Sequence, residues 1–505
     1  MGKTMRIIGI LPLDDRPATR IFPERIAAIA GIRALTPPRE ALGNFRTAGD
    51  FEALRSWLLA AAPAVDGLIV AADMLAYGGL VASRRADLPL ETAEKRLAVL
   101  KELRRRFPEL PIAAAGVLMR ISLTVSDKAS EKVYRDLIRY CEVRYRADEL
   151  HEEEFRAEKE RLADAIPESA LRTFERARAR NFQVNQRLIE MKADGTLSDL
   201  ILLQEDSSAY GPHLSEQRLL RQRIDAFGLR GEVLLYPGAD EGTQTLSARW
   251  INGGAAPAVE TIYTSERMAS AVMPYEHCPL SESLSNHLRS AGFRTGAGGT
   301  LPCFWVHTPC GDAERTAAVA RIEDLLRAGR MVAVADVWKA NGADSVFLEE
   351  LDGRGLLPKL SAYAGWNTAG NTIGTALAFY SAVLKLESDA DGALAAAEER
   401  RRARKVFLWE RLADDWGYQS VVRPMIEARC DRDGIDYRSL GAAHASIEAE
   451  VRRALSGWIA VHLPPEKFGL CGLAPEIRLP WGRTFEVEAR LVPGSGGRGG
   501  KASET

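Results

Sequence analysis

Short apolar runs of strand length, each followed by a stretch of helical periodicity, constrain this chain more than any other feature. They fall at residues 6–11, 67–72, 112–118, 200–203 and 233–236, and again at 261–263, 303–306, 331–335 and 360–363. A strand that is apolar at nearly every position must be covered on both faces, and strands that alternate with helices run parallel. The pattern predicts an α/β architecture. At 505 residues the chain exceeds what one ordinary hydrophobic core can hold, so more than one packing unit is expected.

Two helix-rich segments interrupt or follow the strands. Residues 126–192 are dense in Glu, Arg and Leu, with opposite charges three and four apart, and read as a helical insertion with a solvated face. The expected division is a first α/β unit over 1–250 containing that insertion, and a second over 251–374. A helical region over 375–460 and a β-containing tail over 461–492 follow. Residues 493–505 (PGSGGRGGKASET) hold too little apolar material to fold and are expected to be disordered.

A faint internal repeat links the two units. The first strand leads to PLDDRP at 12–17, a helix, Ala30-Gly31, and then Ile32, Arg33 and Ala34. The strand at 261–263 leads to PYEHCP at 274–279, a helix, Ala291-Gly292, and then Phe293, Arg294 and Thr295. A true repeat would set two Rossmann-like parallel-sheet units face to face across a cleft.

Ligands of parallel sheets bind beyond the carboxyl ends of the strands, where loops converge and helix N-termini point. In the first half those loops hold Asp14, Asp15, Arg16, Asp73, Tyr77, Arg120, Glu205, Asp206, Tyr210, His213, Asp240 and Glu241. In the second half they hold Asn341, Asp344, Tyr363, Trp366, Asn367 and Asn371. Adjacent acids such as Glu205-Asp206 and Asp240-Glu241 can point differently, so that one is desolvated and protonated while its neighbour stays ionised. The same oxygens suit a divalent cation. Trp366 fits either a platform for a sugar ring, with Asn367 and Asn371 bonding its hydroxyls, or a core position with Asn371 capping a helix.

Other classes lose ground. With 67 basic against 69 acidic side chains and a net charge of -2, nothing attracts nucleic acid or anionic lipid in general. The longest apolar region, 57–82, is broken by Pro63, Asp66 and Asp73, so no membrane span is expected. The N-terminal segment reaches Asp14 and Asp15 before any hydrophobic signal core, and the six cysteines form no C-x-x-C pair. A cytoplasmic, reduced location is expected. No phosphate-binding loop, zinc-protease helix, nucleophile elbow or dinucleotide fingerprint occurs.

Five segments in order, PLDDRP at 12–17, DMLAYGG at 73–79, YGPH at 210–213, PGADE at 237–241 and YAGWNT at 363–368, resemble a bacterial family catalogued as domain of unknown function four-one-two-seven. The resemblance brings no activity with it.

The residues themselves point to a hydrolase of a carbohydrate or glycoconjugate. Glu205, Asp206, Asp240 and Glu241 are the expected acid, base or nucleophile set, and the remaining strand-end residues are expected to bind substrate. No cofactor is expected. A metal-dependent amide or phosphoester hydrolase, which would need a divalent ion, and a two-lobed sugar-binding protein without chemistry stand as alternatives. The expected partner is a small-molecule or oligosaccharide substrate, with the oligomeric state open.

Overall fold

The computed structural model describes residues 5–389 and 394–494. Strands β1 (Ile7–Leu11), β2 (Arg33–Leu35), β3 (Gly67–Ala71), β4 (Ile112–Leu118), β5 (Asp199–Gln204) and β6 (Leu234–Pro237) form one parallel sheet in the order β2-β1-β3-β4-β5-β6. Strands β7 (Ala258–Tyr263), β8 (Arg294–Thr295), β9 (Cys303–His307), β10 (Val332–Asp336) and β11 (Ala362–Ala364) form a second in the order β11-β10-β9-β7-β8. Every residue of β3, β9 and β10 is buried, which is why these segments read as unbroken apolar runs.

Counted from its own first strand, the second sheet has the order 2-1-3-4-5, the same as the first five strands of the other sheet. The local pieces match too. The helices Pro17–Ile29 and Leu280–Ser290 both end on a left-handed glycine, Gly31 (φ 74°) and Gly292 (φ 77°). Beyond them Ile32 N–H donates to the Ala27 carbonyl at 2.9 Å and Phe293 N–H to that of Leu288 at 2.8 Å, so one helix-ending turn is used in both places.

Three helices, Lys128–Asp148, Arg156–Ala165 and Glu168–Ala193, form the insertion between β4 and β5 and pack their own small core around Leu137, Tyr140, Val143 and Phe174. After β11 the helix Ala369–Ser388 runs almost wholly buried and packs against Gly242–Asn252 of the first unit. The expected unit boundaries at 250 and 374 each fall inside one of these two helices. A single apolar core spans both units, from Ile8 and Ile201 through Phe304 and Ile373 to Trp409.

The C-terminal region adds the helix Leu394–Leu412, a π-helix Ala413–Val422, and the helices Arg423–Arg432 and His444–His462. Strands β12 (Leu473–Arg478) and β13 (Glu488–Pro493) pair antiparallel. Pro493, expected at the start of a disordered tail, instead pairs with Leu473 as the last residue of β13. The rest of that expectation, 495–505, lies outside the described residues.

Where the two long helices cross, Gly374 leaves no room for a side chain: a Cβ there would lie 2.3 Å from Glu241 Cγ and 3.1 Å from Thr245 Oγ1. Gly374→Ala should destabilise the protein by about 1–3 kcal/mol, because overpacking outweighs the roughly 1 kcal/mol gained in helix propensity. A thermal melt at or above the parent midpoint would contradict this packing.

Candidate active site

Strands β4, β5 and β6 end side by side, and beyond them lies a cavity of about 440 Å³. Glu205, Asp206 and Asp240 line it from the first unit, and Glu276, Asn341, Asn367 and Asn371 from the second. Glu131 and Tyr134 of the insertion and Arg423, Trp481 and Arg483 of the C-terminal region complete the wall. The polar loops of both units therefore open onto one space.

Arg16 sets the geometry of its floor. The guanidinium reaches Asp240 through two bonds, Nη1 to Oδ2 at 3.1 Å and Nη2 to Oδ1 at 2.5 Å. It reaches Asp14 Oδ2 through Nε at 2.9 Å and Nη2 at 2.6 Å. Burial works against its charge, but Asp14 and Asp240 more than offset that and hold it protonated. Asp240 is pushed up to about 6, by burial first, with Arg16 opposing and Asp14 adding to the rise.

The second unit closes on the same acid. Asn371 Oδ1 accepts the Asp240 backbone N–H at 3.0 Å, and Asn367 Nδ2 donates to Asp240 Oδ2 at 3.3 Å. The loop that carries these amides is held from behind by Asp415 of the π-helix, which accepts Gly365 N–H at 2.7 Å. Gly370 passes so close to the end of β6 that a Cβ would lie 2.8 Å from the Pro237 carbonyl oxygen.

A second set of ion pairs lines the opposite wall. Arg84 binds Glu205 and reaches Thr124 Oγ1 at 2.8 Å. Arg120 bonds Asp206 Oδ2 at 2.5 Å and the Tyr134 hydroxyl at 3.1 Å. The Asp206 side chain keeps 24% of its surface exposed against 5% for Glu205 and 4% for Asp240, so it is the strand-end acid that most faces the cavity.

The family model described as Protein of unknown function (DUF4127) matches residues 8–490. The chain belongs to this family. No curated protein and no solved structure matches it.

In this DUF4127 chain the strand-end residues divide sharply. PLDDRP and PGADE meet in the Arg16–Asp240 pair, and YAGWNT adds Asn367. Their neighbours turn away from the cavity. Asp15 points to Arg39, at 3.2 Å, and to the Trp481 indole N–H. Glu241 lies in the interface between units, where Oε2 accepts Ala239 N–H at 2.9 Å and Oε1 sits 3.5 Å from His287 Nε2.

Other expected binders are built into the scaffold. Asp73 accepts Val117 N–H at 2.9 Å, and Tyr77 packs under the Arg180 guanidinium. Tyr210 lies against Tyr145, and His213 is buried beside His277 and held neutral, pushed down to about 2 by burial first and His277 second. Asp344 caps the helix Ser345–Gly353 while holding His307 at 3.0 Å and Arg315 at 2.7 Å, and Tyr363 donates to Asp336 at 3.1 Å. Trp366 takes the core position: it packs edge-on to Phe22, with its N–H on Thr375 Oγ1 at 3.2 Å.

Trp481, stacked on Phe45 at 5.2 Å, is one of the aromatic residues lining the cavity, and sequence reasoning did not single it out. Arg84 was likewise missed, as was Glu276, although Glu276 stands in the Pro274–Pro279 segment at the place Asp14 holds in its counterpart. Among the described residues no three His, Cys, Asp or Glu side chains are grouped to hold a metal ion.

Burial pushes Asp73 up to about 7, against the pull of the Val117 N–H. A carboxyl whose proton affinity is raised on folding stabilises most below its unfolded value, and that contribution is lost as pH rises through the folded one. The stability difference between the parent and Asp73→Asn, read as urea midpoints, should therefore move in favour of the variant as pH rises through about 7. A difference that stays constant from about pH 5 to about pH 8 would contradict a buried, protonated Asp73.

Proposed function

We propose that this protein is a hydrolase of a carbohydrate or glycoconjugate, working in the cavity shared by the two α/β units. The observation that carries the reading is the convergence of Asp206 and Asp240 with the amides of Asn341, Asn367 and Asn371 on one concave site. A cavity of about 440 Å³ lies in the size range of small-molecule sites. Amides donate to and accept from hydroxyl groups, and an indole face matches the C–H face of a sugar ring.

In this reading Asp206 is the reacting side chain. It faces the cavity, Arg120 keeps it oriented, and it acts as the base on water or as the nucleophile at the anomeric carbon. Arg16 and Asp240 form a rigid polar floor that orients hydroxyl groups. Trp481 stacks on the ring. The cytoplasm, where all six cysteines stay reduced, suits the free thiols seen in the fold.

A panel of chromogenic glycosides, assayed with and without a chelator, tests the proposal. Asp206→Asn should lower turnover on the hydrolysed glycoside by about a hundredfold or more while the melting profile stays that of the parent. Trp481→Ala should mainly raise KM, whereas Trp366→Ala should mainly lower stability. No turnover on any glycoside would sink the reading. Loss on chelation with recovery on adding a divalent cation would favour a metal-dependent hydrolase instead.

A further inference from the structure

We infer that Glu276, brought to the cavity by the second unit, is the carboxylic acid that protonates the leaving oxygen. The inference rests on the hydrolase reading and adds the proton donor that such a reaction needs. Five of the six acids lining the cavity are tied to guanidinium groups: Glu131 to Arg135, Glu205 to Arg84, Asp206 to Arg120, Asp240 to Arg16 and Glu427 to Arg423. A guanidinium partner favours the charged form of an acid. Glu276 has no such partner among the described residues: Oε1 accepts Gly370 N–H at 2.6 Å, and Oε2 is buried without a hydrogen bond.

The groups facing Glu276 explain its different state. Glu276 is 2% exposed. Burial pushes it up to about 7, His287 and the Gly370 N–H oppose the rise, and Glu241 adds to it. Ser283 and Cys278 lie beside it and bring no fixed charge. Nδ1 of His287 stands 2.8 Å from the Ser283 carbonyl, which can only accept, so Nδ1 carries the hydrogen. Nε2 then faces Glu241 Oε1 at 3.5 Å, and neither atom has a hydrogen-bond partner. Glu276 is thus the catalytic residue.

As the glycosidic C–O bond breaks, its electron pair stays on the leaving oxygen and Glu276 gives that oxygen its proton. The water that completes hydrolysis gives one proton back to the cavity carboxylates, so no other reactant is needed.

The test is Glu276→Gln, which keeps the acceptor for Gly370, assayed on glycosides with alkyl and with dinitrophenyl leaving groups. Turnover of the alkyl glycoside should fall by about a hundredfold or more, because protonation is lost. Turnover of the dinitrophenyl glycoside, whose leaving group needs no proton, should stay within about tenfold, and the alkaline limb of the parent pH profile should vanish. Equal losses on both leaving groups, or an unchanged limb in Glu276→Gln, would overturn the assignment while leaving the hydrolase reading intact. If the parent hydrolyses no glycoside, the hydrolase reading itself fails. The infrared difference spectrum between the parent and Glu276→Gln at about pH 6 then decides whether Glu276 is an acid at all: a loss of protonated-carboxyl intensity in the variant keeps the acid, and an unchanged band overturns it.

Discussion

The double ion pair of Arg16 is the interaction on which the rest of the site depends. One buried guanidinium spans Asp14 at the end of β1 and Asp240 at the end of β6, the C-terminal loop adds Glu486 at 3.8 Å, and the Trp481 ring lies 5.0 Å away. Charges so deeply buried are a poor source of stability, since their desolvation offsets most of the attraction. What they supply is a fixed position. Loss of either carboxylate or of Arg16 would leave an uncompensated charge at a cost of about 3–5 kcal/mol, so these groups have one workable arrangement. The amides of the second unit can then be aimed at a group that does not move.

The two units reach this point by the same route. Each runs strand, loop, helix, left-handed glycine, strand, and each places an acid at the third position of a six-residue segment that begins and ends on proline, Asp14 in one and Glu276 in the other. Their surroundings then separate them. Asp14 meets Arg16 and Thr19, whereas Glu276 meets a backbone N–H and a buried Glu–His pair. Matching loop positions thus hold carboxyl groups in different electrostatic settings, and of the two Glu276 is the one that lines the cavity.

Much of the fold was legible because burial on both faces leaves a mark at every residue of a strand. The two edge strands β2 and β8 left little mark, being three and two residues long and largely exposed. The site was legible in part. The rule that ligands bind at strand ends picked Glu205, Asp206, Asp240, Asn341, Asn367 and Asn371, which line the cavity, and equally Asp73, His213, Asp344 and Tyr363, which do not. Spacing along the chain does not tell a carboxylate that meets a backbone N–H from one that meets a cavity. Asp240 and Glu241 point apart while Glu205 and Asp206 both line the cavity, and which of Asp240 and Glu241 faced it depended on the turn into the helix Gly242–Asn252. Arg84 and Trp481 carried no signal, since their place in the wall is set by contacts distant in sequence.

The claim at the centre of this account is that the loops of both units form one site, locked together at Asp240. A double-mutant cycle of Asp240→Ala and Asn367→Ala, read as unfolding free energies of the full chain, tests it without needing a substrate. The account predicts that the two losses fail to add, with a coupling of about 0.5–3 kcal/mol. Losses that add within about 0.3 kcal/mol would mean that the two units do not meet there, and the shared site would be contradicted.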